Sequence, residues 1–266
     1  MISNTSRFLT YACAILYGIT GSLLFIFAET LAPVFAWKVT SFMVMTIGAW
    51  SLGNAWLAFI NARRWDWSLN RTSLLYLWLF GVGELLVLFA FRAKLVLQHP
   101  IAWLYLLTLI VNVLTAVVGT TEIIRLHPKS TPNGEILNPA QKIPAVLFVI
   151  FVGFLGGYGI IAQIGDVGTN GGIFPEIMSL FTLRSFGVFY FSLALAVIPF
   201  FWQIGYKTVL HHAFASYGLI IFITVAAFIN ISLFDFSQHP GGLLYFGAYL
   251  IVGIPLAFLF SKYGTR

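Results

Sequence analysis

Residues 73–91 read SLLYLWLFGVGELLVLFAF, nineteen positions in which Glu84 is the only ionisable acid. A run of about 20 apolar residues matches the hydrocarbon thickness of a bilayer when it is helical. A carboxyl near the middle of such a run costs several kcal/mol unless it is protonated, paired or hydrated, so Glu84 marks a candidate site. The helical reading follows from length, because barrel strands run to about 10 residues of alternating polarity and no alternation occurs here.

Seven more stretches carry no charge at all: Phe8–Ala28, Val39–Ala62, Gln98–Thr121, Ile143–Gly165, Ser185–Tyr206, His211–Phe234 and Ser237–Ser261. With residues 73–91 they predict eight transmembrane helices, two of them kinked at Pro199 and Pro255. The composition agrees. Only 8% of the 266 residues are charged and mean hydropathy is +0.94, whereas water-soluble domains carry about 25% charged residues. A sizeable soluble domain is excluded. The net charge of +6 is spread singly between apolar runs, which suits membrane lipids and argues against nucleic acid. The single Cys13 lies in the first run, so intrachain disulfides are excluded.

Lys and Arg counts set the expected orientation. Arg7, Arg63, Arg64, Arg71, Arg125, Lys129, Lys142, Lys207, Lys262 and Arg266 fall on one side, against Lys38, Arg92, Lys94 and Arg184 on the other. The richer side is expected to be cytosolic, placing both termini in the cytoplasm of a cell-membrane protein. Trp65, Trp67 and Trp202 near one boundary and Trp37 and Trp103 near the other fit aromatic belts. The initial run lacks a basic leader and a small-residue cleavage site, so it is expected to be a retained helix.

Gln98-His99-Pro100 is followed after three residues by Leu104-Tyr105, and Gln238-His239-Pro240 after three residues by Leu244-Tyr245. Just upstream, Leu88–Phe91 mirrors Leu233–Phe236, with five extra residues before the first Gln-His-Pro, and weaker echoes pair Tyr17-Gly18-Ile19 with Tyr158-Gly159-Ile160 and Ser41-Phe42 with Ser185-Phe186. The chain is therefore expected to be an all-α polytopic membrane protein built as two parallel four-helix repeats, residues 1–124 and 143–266, joined by a cytoplasmic linker, residues 125–142. An even number of helices per unit makes the repeat parallel, with a two-fold axis along the membrane normal. The proline of each Gln-His-Pro is expected in the first turn of a helix, where its missing N–H costs nothing.

The buried polar candidates are Glu84 with Asn54, Asn112 and Asn230 as hydrogen-bond partners, and the residue matching Glu84 in the second unit falls near Ile229 and Asn230. Outer-face candidates are His99, His239, Asp235 and Arg184. Arg63, Arg64, Trp65 and Trp67 form a juxtamembrane cluster suited to lipid head groups. No cofactor or metal is expected. A haem between facing imidazoles is disfavoured because His99, His239, His211 and His212 fall at helix ends and His127 in the linker. Asp166–Gly172 holds oxygen ligands and glycines but lacks the acidic spacing of a calcium loop, and reads as an ordinary turn.

No nucleophile elbow, phosphate loop or zincin helix is present. The leading expectation is a small transporter or permease for an apolar or lipid-like solute, with Glu84 changing protonation. The alternative is a non-catalytic scaffold or accessory subunit with membrane-protein partners or in a homo-oligomer, with Gly18, Gly21, Gly156 and Gly159 packing closely on a neighbour. A third is an intramembrane enzyme acting on a lipid or isoprenoid, using Glu84, Asp235, Arg184 and the histidines as acids and bases.

Overall fold

The computed structural model describes residues 3–129, 131–166, 176–202 and 205–263. It contains eight long helices: α1 Asn4–Ile26, α2 Ser41–Arg63, α3 Trp67–Ala90, α4 Pro100–Leu126, α5 Pro139–Ile161, α6 Leu180–Val197, α7 Tyr206–Ile229 and α8 Gly241–Tyr263. Each is long and apolar enough to cross a bilayer, α6 being continued by a 3-10 turn, Ile198–Phe201. The protein is an all-helical, multi-pass membrane protein. An isolated bridge pairs Ile136 with Gly205. Helices satisfy every backbone group within one segment, which lipid demands.

The helix starts have local causes. Ser3, Thr40, Asp66 and Ser179 accept backbone N–H bonds at the starts of α1, α2, α3 and α6, and Asn138 forms a reciprocal capping box with Gln141 at α5. Pro100 opens α4 as expected, but His99 makes no side-chain cap, and α8 begins one residue after Pro240. Pro199 does not kink a helix interior: α6 ends at Val197 and the proline sits in the 3-10 turn. Pro255 does lie within α8.

Two boundaries differ from the sequence reading in ways that matter. The Asp66 cap starts α3 six residues before Ser73, so Glu84 is the eighteenth of 24 residues and lies in the far third of the helix, away from the chain termini. Likewise α7 starts at Tyr206, before Lys207, which puts His211 and His212 inside the helix and buries both. A charge-free criterion cuts such helices short, because basic side chains tolerate the membrane interface.

Helices α1 and α2 cross closely, as do α5 and α6. At the first crossing a Cβ on Gly48 would fall 2.5 Å from the Phe25 nitrogen, and at the second a Cβ on Gly187 would fall 2.6 Å from the Gly159 carbonyl carbon. Gly21, Gly156 and Gly159 are used the same way, against Leu52, Phe191 and Gly187, while Gly18 meets Ala55. These glycines pack the chain on itself, so they are not the partner-facing surface anticipated from the sequence.

Cations tie the same pairs together. Arg7, fourth residue of α1, donates to the Ala62 and Arg63 carbonyls at 2.8 and 3.4 Å at the end of α2. Lys142, fourth residue of α5, donates to the Phe201 and Trp202 carbonyls at 3.1 and 3.3 Å where the α6 turn ends. Arg184 donates to Gly159 and Ala162 oxygens at 2.8 and 2.9 Å, closing the far end of α5. Each satisfies orphan carbonyls and complements the helix dipole.

The two groups of four helices meet along a seam where α2 packs on α7, α3 on α6, and α3 on α7. The linker runs from His127, in a left-handed conformation at φ 43°, to Asn138. It lies against the start of α7, with the Tyr206 and Lys207 amides donating to Glu135 and Asn133 carbonyls at 2.8 and 3.1 Å.

Candidate functional site

The seam holds three levels of side chains. On its far side Glu84 is fully buried. Its Oε1 accepts a hydrogen bond from the Tyr105 hydroxyl at 3.0 Å, while Oε2 has no hydrogen-bond partner. The Ser185 hydroxyl lies beside the carboxyl and is itself unpartnered. Three helices, α3, α4 and α6, thus meet around one acid. Buried polar atoms left unpaired are uncommon and costly, and they mark places where water, a proton or a ligand can be held.

An aromatic lid covers this acid. The rings of Phe35 and Trp37 lie 5.3 and 5.7 Å from that of Tyr105. Trp37 stacks on Phe181 at 4.3 Å and donates its indole N–H to Thr182 at 3.2 Å. Trp37 is buried and so does not serve the aromatic belt expected of it. Beyond the lid lies an open cleft of about 570 Å³ with Glu29, Lys38 and Thr40 at its rim.

At mid-depth an aromatic plug fills the seam. Trp50 of α2 stacks on Phe189 of α6 at 4.6 Å and 7°, flanked by Phe186 at 4.5 Å and Phe80 at 6.4 Å. Offset and edge-on arrangements of this kind add about 0.5 to 1.5 kcal/mol per pair beyond the area they bury.

A second polar group lies nearer the termini. Tyr76 faces the Asn54 amide, and neither the hydroxyl nor either amide atom completes a hydrogen bond. Below them His212 Nδ1 and the Ser73 hydroxyl share a hydrogen bond of 3.0 Å. His211 Nε2 meets Asn61 Oδ1 at 3.3 Å. The Asn61 Nδ2 donates to the Leu57 carbonyl at 2.7 Å, which orients the amide so that His211 Nε2 carries the donating proton.

Of the expected partners of Glu84, none bonds to it. Asn112 Nδ2 donates to the Tyr17 hydroxyl at 2.7 Å and the Leu77 carbonyl at 3.0 Å, with Gly81 making room for the amide. Asn54 belongs to the terminal-side group. Asn230 caps the end of α7, donating to the Ala226 carbonyl at 2.9 Å and approaching the Met45 sulfur at 3.2 Å. Sequence reasoning missed Tyr105 and Ser185, because the faces that meet Glu84 depend on how α4 and α6 cross α3.

The outer-face candidates are not gathered into one site. Arg184 closes α5, as described above. Asp235 is exposed, and its Oδ1 accepts from the Ser237 hydroxyl and amide and the Gln238 amide at 2.6, 3.1 and 3.1 Å. The Ser237 hydroxyl bond in particular holds the Asp235 carboxyl below the ordinary range. His239 is exposed and its amide donates to the Asp235 carbonyl at 2.8 Å. His99 is half-buried at the start of α4. Among the described residues no three His, Cys, Asp or Glu side chains converge. Arg63 and Arg64 are exposed, and Trp65 and Trp67 are half-buried against the core. Of the Asp166–Gly172 stretch, everything from Val167 on lies outside the described residues.

No family model, curated protein or solved structure matches this chain. The functional reading therefore rests on the seam.

Proposed function

We propose that the protein is a small permease of the cell membrane in which two parallel four-helix units frame a path along their seam. Protonation of Glu84 accompanies movement of an apolar or lipid-like solute. The observation that carries this reading is the buried Glu84 carboxyl, donor-bound on one oxygen and open on the other, held between the two groups of helices. An acid so placed, with no cation bonded to it, is expected to change protonation rather than serve as a fixed charge. The aromatic plug makes the path dry, which favours an apolar cargo over a polar one.

Helix register supports the repeat. Both α3 and α7 have 24 residues, and their seventh residues, Ser73 and His212, hydrogen-bond to each other. The tenth residues of α2 and α6, Trp50 and Phe189, stack on each other, and the eighth, Gly48 and Gly187, form the two glycine crossings. Residues that meet their own counterparts are the mark of a two-fold axis. This register matches Glu84 with Ile223 rather than with the Ile229 neighbourhood, because Leu88–Phe91 ends α3 while Leu233–Phe236 lies beyond α7. The axis would then run along the membrane normal with both termini on the Lys- and Arg-rich, cytoplasmic side.

The test uses liposomes containing the purified protein and a phospholipid with a short fluorescent acyl chain, quenched from outside by dithionite. Wild-type protein is expected to speed transfer of the probe between leaflets in a pH-dependent manner, and Glu84→Gln to remove the pH dependence while remaining folded. Absence of protein-dependent transfer, or an unchanged pH profile in the variant, contradicts the proposal. The accessory-subunit reading draws on one observation of its own. Half-buried Gly157 of α5 and Gly247 of α8 have no atom within 4 Å of where a Cβ would sit, the kind of surface that another membrane helix packs against. Stoichiometric companions after purification in mild detergent would favour it.

A further inference from the structure

The terminal end of the seam holds a polar group that the Glu84 reading does not use. His212 and His211 lie on consecutive positions of α7 and reach different helices of the other unit, Ser73 on α3 at 3.0 Å and Asn61 on α2 at 3.3 Å. Both imidazoles are buried, at 6% and 8% exposure, and Ser73 and Asn61 are fully buried. A third strut of the same contact is the Thr208 hydroxyl, which donates to the Ser68 carbonyl at 3.0 Å. Above them the Tyr76 hydroxyl and both Asn54 amide atoms stand without partners. The rings of Phe200 and His212 meet edge to face at 5.4 Å and 88°.

We propose that His211 and His212, with Asn61 and Ser73, form a second proton-binding site, which takes up a proton from the terminal side only as α7 separates from α2 and α3. Opening of that end of the seam and protonation are one event.

The charge environment gives the reason. In the closed arrangement the imidazoles are offered neutral partners, an amide and a hydroxyl. Helix α3 presents Ser73 and Tyr76, the end of α6 presents Phe200, and α8 has no charged residue between Gly241 and Ser261. Among the described residues the charged groups lie towards the rim: Arg64 and Asp66 in the turn between α2 and α3, Arg71 two residues before Ser73 on α3, Lys207 one turn earlier on α7, and Glu135 on the linker. An imidazolium buried among neutral groups costs far more than one in water, so the closed contact excludes the proton, and a bound proton holds the contact open. The bookkeeping is simple: an N–H bond forms on the imidazole as an O–H bond of hydronium breaks, with no redox partner. The aromatic plug of Trp50, Phe80 and Phe189 separates this site from Glu84, so the seam carries one protonatable station on each side of a hydrophobic barrier.

This inference goes beyond the transport reading and can fail independently of it. The experiment is hydrogen–deuterium exchange by mass spectrometry on the full chain in lipid nanodiscs, following peptides that cover residues 206–215 from neutral to mildly acidic pH. Rates are corrected for the intrinsic pH dependence of amide exchange. The expected result is a rise in corrected exchange as pH falls, lost in His212→Gln and kept in Glu84→Gln. Glutamine preserves a hydrogen bond to Ser73, so this variant is expected to fold, and His211→Gln supplies an independent second loss. A flat wild-type profile overturns the proposal, as does a rise that persists in both histidine variants or disappears in Glu84→Gln.

Discussion

The two groups of four helices share their glycine crossings and cationic ties but enclose different interiors. In the first, α1 packs on α4, closing the group around a polar interior in which Tyr17, Asn112, Tyr105 and Glu84 sit on α1, α4 and α3. In the second, α5 and α8 show no comparable packing among the described residues. The gap is a cavity of about 170 Å³ walled by Phe151, Phe154, Leu155, Tyr190, Tyr245 and Tyr249. Across it the Tyr190 and Tyr249 hydroxyls share a 2.9 Å hydrogen bond. The glycine crossings and the cationic helix ties occur in both groups and build the fold. The groups differ at the eighteenth residues of α3 and α7, Glu84 and Ile223, and in the hydroxyls of Tyr105 and Tyr245, of which only the first bonds an acid among the described residues.

The largest effects should come where the halves agree. Gly48→Ala and Gly187→Ala each place a methyl against the backbone of the crossing helix, an overpacking that costs about 1 to 3 kcal/mol. Similar losses are expected in both, read as the shift in unfolding midpoint with a denaturing detergent. A large loss at one site and none at the other would break the equivalence of the two crossings. A smaller effect separates the halves. Tyr105→Phe removes the donor to Glu84 and should cost about 1 kcal/mol. Tyr245→Phe should cost clearly less, because its hydroxyl makes no hydrogen bond among the described residues. Equal losses in the two variants would mean that the Tyr105 contact carries no energy of its own.

Much of this architecture is legible in the chain, because lipid imposes a minimum length on every span and a charge-free run of that length has few other readings. The spans around Phe8, Val39 and Gln98 were visible for that reason. The site was less so. Glu84 announces itself by its cost, but Tyr105 and Ser185 are ordinary residues until crossing angles bring them to it. The histidine pair escaped because Lys207 ended the charge-free run just before it. The one signal that could have found the pair is the equal length of α3 and α7, which sets His212 opposite Ser73, and that needs the helix starts that Asp66 and Gly205 define. Arg184 read as a functional cation because the carbonyls it serves belong to another helix.

The central claim is that Glu84 binds and releases a proton inside the seam. Infrared difference spectroscopy of the protein in nanodiscs, comparing acidic with alkaline buffer, reads this directly. The account predicts a protonated-carboxyl stretch that disappears as pH rises and is missing from the Glu84→Gln spectrum. A carboxyl signal unaffected by pH, or one that survives in the glutamine variant, would contradict it.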